Sequence, residues 1–306
     1  MASNRRISKR SSYLLMIMLV FFWGFEYIAA KSALDACKPI TLVFFKYSVG
    51  FVVLTCVKLL RDRRLPFRKK DVPFLLICAL FGDILYYGSE YGALSYLPVS
   101  IVTILLAFVP ALSIIIEIFV YGRKPTVAIV AGIVACSIGV ALIVGADFSE
   151  LLAGKATGYF LAFFAIVSWN IYNFITAKLT GQYNPLDLTL YQLTAAILLS
   201  APYMIFHLPD AAQMDGRFFL AIAYLGVISS AFGFVIYVNA VSVIGVTPSA
   251  LFSNMLPVTS TFFGWLFLDE MISAAQIIGG VVVVAAGSVV IWLKGKQDGE
   301  LPGCRP

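Results

Sequence analysis

Apolar runs of about 20 residues follow one another along this chain, and each is long enough to cross the hydrocarbon core of a bilayer as an α-helix. About ten are readable: Tyr13–Ala33, Pro39–Leu60, Val72–Leu94, Ser100–Tyr121, Thr126–Gly145, Gly158–Leu179, Leu186–Phe206, Phe218–Ala240, Pro248–Leu268 and Ala274–Leu293. One soluble core cannot bury so many helices on every side. Composition agrees: of 306 residues 61% are hydrophobic and only 12% charged, with a mean hydropathy of +0.94, whereas soluble domains carry roughly 25% charged residues. The predicted class is an all-α membrane protein with about ten transmembrane helices. A basic leader, Arg5-Arg-Ile-Ser-Lys-Arg10, precedes the first run. That run is longer than the roughly 7–15 apolar residues of a signal peptide and enters a polytopic body, so cleavage is not expected.

The runs fall into two similar halves. Leu94–Pro110 recurs loosely as Val241–Pro257, with Ala93 on Ala240, Ser95 on Ser242 and Pro110 on Pro257, an offset of about 147 residues. Trp23…Lys31 matches Trp169…Lys178, Pro39-Ile-Thr-Leu matches Pro185-Leu-Asp-Leu, and Gly132…Gly139 matches Gly280…Gly287. The predicted units are residues 1–147 and 148–306. A proline within an apolar helix frees a backbone carbonyl that protein or water must satisfy, so such helices tend to line cavities. Broken helices at matching places in two halves point to a transport site between them. The small-residue stripes of the fifth and tenth helices suit close helix packing or a dimer seam.

Lys and Arg accumulate on the cytoplasmic side of membrane proteins. An inside N-terminus puts Arg5–Arg10, Arg61–Lys70, Arg123-Lys124 and Lys294/Lys296 in the cytoplasm, and an even helix total returns the C-terminus there. Five helices per half is odd, so the second half is inserted upside-down: two inverted five-helix repeats. The net charge of +6 therefore bears on topology, and no nucleic-acid partner is expected. The expected location is the plasma membrane, as a multi-pass monomer or homodimer with both termini cytoplasmic. The five cysteines show no metal spacing, and no cofactor is expected.

Taken in order, these landmarks resemble the drug/metabolite transporter superfamily, EamA type. The features that carry the resemblance are Trp23, Gly24 and Lys31 on the first helix, the Pro-x-x-Leu opening of the second, the Ala-Leu-Ser-Tyr-Leu-Pro-Val-Ser linker, Pro110 and Pro257, and the glycine-rich fifth and tenth helices. It spans about Tyr13 to Leu293. It implies a ten-helix carrier that moves small metabolites, often outward, through a central cavity. Two departures stand out. Lys46 stands about where the family commonly has arginine, and Arg123 where a glutamate usually follows the fourth helix; only the second half keeps an acidic end, Asp269-Glu270.

Ionisable groups within a membrane are costly and usually face a cavity or a partner. Glu26, Lys46, Asp83, Glu90 and Glu117 all lie in the first half; the core of the second half offers Trp169, Asn170, Asn173, Gln192, Asn239 and Asn254. The spacing of Asp83, Tyr86, Tyr87 and Glu90 predicts one polar stripe on the third helix. Counting rises from the helix ends puts Glu26 and Lys46 at nearly one depth. Lys46 then either neutralises Glu26 or Glu90 or takes part in substrate or proton binding. The asparagines suit either cavity contacts or interhelical hydrogen bonds. Trp23 and Trp169 suit either paired cavity walls or interfacial anchors. The candidate substrate-binding or ion-coupling set is Trp23, Glu26, Lys46, Asp83, Tyr87, Glu90, Trp169, Asn173 and Asn254, with a substrate carboxylate at Lys46 releasing a proton site among the acids.

No nucleotide-binding or hydrolase motif is present, so the chain reads as a gradient-driven secondary transporter and not an enzyme. The expected cargo is a small molecule, an amino acid or related amphipathic metabolite, exported by alternating access with protons as the candidate coupling ion. Alternatives are a nucleotide-sugar, sugar-phosphate or drug carrier, a non-transporting receptor, and an intramembrane enzyme.

Overall fold

A computed structural model describes residues 8–61, 65–121, 125–145, 155–179, 182–244, 249, 252 and 254–300. Every regular element among them is helical. In hydrocarbon this is the economical solution for an open chain, because a helix satisfies its backbone groups internally. Eight helical stretches have the length and apolarity to span a bilayer, and the shorter apolar helices Val127–Ile143 and Leu256–Leu268 complete ten. Side chains such as Phe21, Val52, Phe160, Leu198, Phe262 and Ile278 stand exposed on the outer surface of the bundle. That apolar girdle would aggregate in water and is the natural solvent contact in lipid.

The first two helices are α1 (Lys9–Ala33) and α2 (Pro39–Arg61). The third segment is not the uninterrupted α-helix its periodicity predicts. It is α3 (Val72–Cys78), a π-helical stretch (Ala79–Leu85) and α4 (Tyr86–Leu94). The fourth breaks into α5 (Val99–Leu106) and α6 (Val109–Tyr121), because Pro110 has no N–H to offer the Leu106 carbonyl. Then follow α7 (Val127–Gly145), α8 (Ala156–Leu179) and α9 (Pro185–Phe206). The eighth segment repeats the third: α10 (Gly216–Ala223), a π-helical stretch (Tyr224–Gly233) and α11 (Phe234–Ile244). Last come α12 (Leu256–Leu268) and α13 (Ala274–Glu300), the latter running past the expected end at Leu293. Several expectations lie outside the described residues: the leader, the basic residues at 62–64, Arg123 and Lys124, the connector with the 147/148 boundary, the start of the ninth helix, and the side chains of Glu117, Lys294 and Lys296.

Exchanging the halves maps the packing onto itself. α1 lies against α12 and the eighth segment, and its counterpart α8 lies against α5, α6 and the third segment. α2 packs on α9, and α7 packs on α13. At the α7–α13 crossing Gly139 meets Gly279. A Cβ on Gly139 would sit 2.8 Å from the Gly279 carbonyl oxygen, and one on Gly279 would sit 2.7 Å from that of Gly139. The glycine stripe is thus spent on a seam within the chain, where backbones approach as only small residues allow. Gly139→Leu is expected to destabilise the bundle by about 1–3 kcal/mol or block its assembly. A thermal unfolding shift of the detergent-solubilised protein reads this; an unchanged midpoint contradicts it.

Candidate functional site

Between the halves lies a cavity of about 150 Å³. α1 contributes Trp23, Glu26 and Tyr27; α4 contributes Tyr86, Tyr87 and Glu90. The broken fourth segment supplies Thr103, Leu106, Val109, Pro110 and Ser113, and α8 supplies Trp169, Asn170 and Asn173. Tyr237, Asn254, Pro257 and Ile291 close it from the second half. Both helix-breaking prolines therefore sit in the wall. Leu106, whose carbonyl Pro110 deprives of its helical donor, borders the open space, as backbone at a break should.

Seven of the nine residues predicted from sequence line this cavity: Trp23, Glu26, Tyr87, Glu90, Trp169, Asn173 and Asn254. Lys46 and Asp83 do not. Lys46 is wholly buried behind the wall, its Nζ 2.8 Å from Glu26 Oε1, 2.8 Å from the Tyr91 hydroxyl and 3.5 Å above the Tyr87 ring. Of the two acids it could neutralise, it takes Glu26. A substrate carboxylate cannot touch Lys46 in this arrangement, because Glu26 and Tyr87 stand between. Asp83 is buried outside the cavity lining and accepts a 2.6 Å hydrogen bond from Tyr47. Of the predicted stripe, Tyr86, Tyr87 and Glu90 reach the cavity, and Asp83, which lies within the π-helical stretch, does not.

Glu26 is fully engaged. Oε1 accepts from Lys46 and, at 2.7 Å, from Tyr91; Oε2 accepts from Ser229 on the second π-helical stretch. Glu90 is held instead by two tyrosines, Tyr27 at 2.9 Å and Tyr86 at 2.6 Å. Trp23 lies against Phe234 and Tyr237 and donates its indole N–H to the Ser229 carbonyl of the second π-helical stretch at 3.3 Å. Trp169 packs on Tyr86 and Tyr172. The sequence reading missed Tyr27, Tyr86, Tyr91, Ser229 and Tyr237 as site residues. Tyr86 was legible as the i–4 neighbour of Glu90; Ser229 was not, since its role depends on the second half meeting the first.

Pseudo-symmetry explains the uneven charge. Tyr172 and Gln192 stand 146 residues after Glu26 and Lys46. The Tyr172 hydroxyl donates to Gln192 Oε1 at 3.3 Å, so a neutral pair occupies the place of the ion pair. Likewise Gly82, opposite number of Ser229, leaves room for the Tyr172 ring. The frame holds either pair, so nothing in the fold itself requires the charged one. A buried ion pair is costly to keep and adds little stability over a neutral substitute.

A second polar cluster closes one end of the bundle. Asp269 ends α12 with φ 52, a left-handed turn that swings Glu270 beneath the N-terminus of α5. Glu270 accepts from the backbone N–H groups of Val99 (2.8 Å) and Ser100 (3.2 Å) and from the Ser100 hydroxyl, and pairs with Lys31 at 3.0 Å. The acidic end kept only by the second half thus ties α1, α5 and α12 together.

Comparisons with known proteins agree with this architecture. The family model of the EamA-like transporter family matches twice, over residues 10–145 and 156–292. The uncharacterized transporter YvbV of Bacillus subtilis is 24% identical over 92% of this chain and 92% of its own length. The probable terminal-alkyne amino-acid exporter of Streptantibioticus cattleyicolor is 23% identical, covering 95% and 97%. The pseudopaline exporter CntI of Pseudomonas aeruginosa is 25% identical, covering 90% and 94%. A solved crystal structure superposes with a TM-score of 0.65 at 23% identity, over 92% of this chain and 99% of that one, which supports the fold. A chain of ten apolar helical segments in two repeats, matched by the family over both halves, is a multi-pass membrane protein of the EamA-like transporter family.

Proposed function

We propose that this transporter exports amino acids or related amphipathic metabolites by alternating access, driven by a proton gradient. The observation that carries the reading is the cavity between the repeats, whose wall joins two carboxylates to aromatic rings and amides. That mixture suits a small solute with a charged head and an apolar body. It suits a phosphorylated sugar poorly, because no basic side chain appears among the described lining residues. Two exporters at similar identity, one named for an amino acid, support the outward direction. Glu26 and Glu90 are the proposed proton acceptors, with Lys46 paired to Glu26. The test is the culture medium of cells with and without the protein: amino-containing metabolites accumulate outside only with it, and identical media contradict export.

Both termini are proposed to be cytoplasmic. Cys37, in the α1–α2 turn, is a poor reporter: it is buried, and burial pushes its thiol up to about 12, far from the reactive thiolate. Gln213, exposed beyond α9, is better placed. Gln213→Cys is expected to react with an impermeant maleimide in intact cells while Cys37 does not. Labelling of Gln213→Cys only after lysis contradicts the orientation.

A further inference from the structure

The two carboxylates in the cavity wall are not equivalent. Glu26 has a protein donor on each oxygen, one of them the Lys46 ammonium. Glu90 receives both of its hydrogen bonds, from Tyr27 and Tyr86, on Oε1. Its Oε2 accepts none from the described residues, and neither tyrosine carries a positive charge to balance it. This carboxylate sits in a nest of rings: Tyr86 lies 4.8 Å from Tyr87 and 4.6 Å from Trp169, centroid to centroid. Tyr237 bridges to both tryptophans, 5.4 Å from Trp23 and 6.5 Å from Trp169.

A carboxylate oxygen without a donor, set among aromatic rings, is complementary to a cationic N–H donor such as an ammonium. The carboxylate supplies a charge-assisted hydrogen bond and the rings supply cation–π attraction, both strengthened where water is scarce. Charge counting points the same way. Among the described residues Lys46 is the cation beside Glu26, Asp83 and Glu90; it is committed to Glu26, and it lies off the wall. An anionic solute entering the cavity would meet two carboxylates and no described basic side chain.

We propose that Glu90 is the anchor for the substrate's ammonium group, its Oε2 taking the N–H donors while the aromatic walls hold the adjoining carbons. This rests on the reading of the chain as an exporter of amino-containing metabolites and names the group by which they are recognised. A carboxylate at the other end of a zwitterion would face the neutral side chains Asn173 and Ser113 of the same cavity.

The test uses three probes of nearly equal size and different charge: 2-phenylethylamine, phenylalanine and 3-phenylpropanoate. Each is titrated calorimetrically into the purified full-length protein and its Glu90→Gln and Glu90→Asp variants. The amine and the amino acid are expected to bind, with 3-phenylpropanoate at least tenfold weaker. Glu90→Gln is expected to lose at least tenfold in affinity for the amine, and Glu90→Asp to keep part of it. Equal or tighter binding of 3-phenylpropanoate, no binding of the amine, or unchanged amine binding by Glu90→Gln overturns the proposal. Should Glu90→Gln fail to fold, Glu90→Asp decides: an amine affinity equal to the parent's overturns the anchor, and a partial loss with 3-phenylpropanoate binding unchanged supports it. Amine preference lost with metabolite export intact removes the anchor and leaves the exporter reading; amine binding intact with no export of any amino-containing solute does the reverse.

Discussion

Lys46→Met is expected to destabilise the protein by about 3–5 kcal/mol, because it leaves the buried Glu26 carboxylate without its counter-charge. Tyr91 and Ser229 would still donate to Glu26, but two neutral hydroxyls do not replace an ammonium 2.8 Å away. Glu26→Gln alone removes the counter-charge of Lys46 instead, leaving it a neutral amide oxygen, the Tyr91 hydroxyl and the rings of Tyr47, Tyr87 and Tyr91. The double variant Lys46→Met/Glu26→Gln removes both charges, and its stability is expected to return to within about 1 kcal/mol of the parent. The second half already shows that the frame accepts this, since Tyr172 and Gln192 fill the same place without charge. Thermal unfolding of the four proteins gives the coupling. In proteoliposomes the folded double variant is expected to ignore an imposed proton gradient. If it responds as the parent does, the pair is structural and the coupling lies elsewhere.

Loss of Glu270 is expected to release one end of the bundle. Its carboxylate holds two N–H groups of the first turn of α5, which Glu270→Ala would leave unpaired at about 1–3 kcal/mol each if they stay dry. The Lys31 pair adds less, because the lysine side chain is 34% exposed and water screens it. This ranking makes a distinction. Exchanging the charges, Lys31→Glu with Glu270→Lys, restores an ion pair but places a lysine, which cannot accept, beneath the α5 N-terminus. The swap is therefore expected not to rescue. Thr103, bonded to Ser260 at 2.7 Å below this cluster, is a suitable reporter. In a Glu270→Ala background, Thr103→Cys is expected to react several-fold faster with an impermeant thiol reagent from the face that carries Glu270. An unchanged rate, or full rescue by the swap, shows that the cluster does not hold that face closed.

These expectations show what was readable in the sequence. The helix count and the duplication were legible because lipid imposes one length and one periodicity, and because Pro110 and Pro257 punctuate both halves alike. Most of the cavity wall was legible for a related reason: charged and amide side chains at membrane depth have few places to point. Asp83 falls outside the cavity lining, and the π-helical stretch from Ala79 to Leu85 that holds it is invisible to a count that assumes a uniform turn. Lys46 lies beside Glu26, as the count of rises placed it, but behind the cavity wall, since depth alone does not tell wall from backing. Glu270 stood out in the sequence as the acidic end of the second half, but what it holds could not be read. Its role comes from a left-handed residue at Asp269 and a helix start 171 residues away in the chain.

The central claim is that a proton gradient alone drives amino-containing solutes through the cavity between the repeats. Purified protein in sealed liposomes loaded with a mixed pool of amino acids and amines, without ATP, tests it most directly by mass spectrometry of the released solutes. The account predicts protein-dependent release of one or more ammonium-bearing solutes, accelerated by an inward proton gradient, collapsed by a protonophore and abolished by Glu90→Gln. No release with the gradient in place, or release that requires ATP, would contradict it.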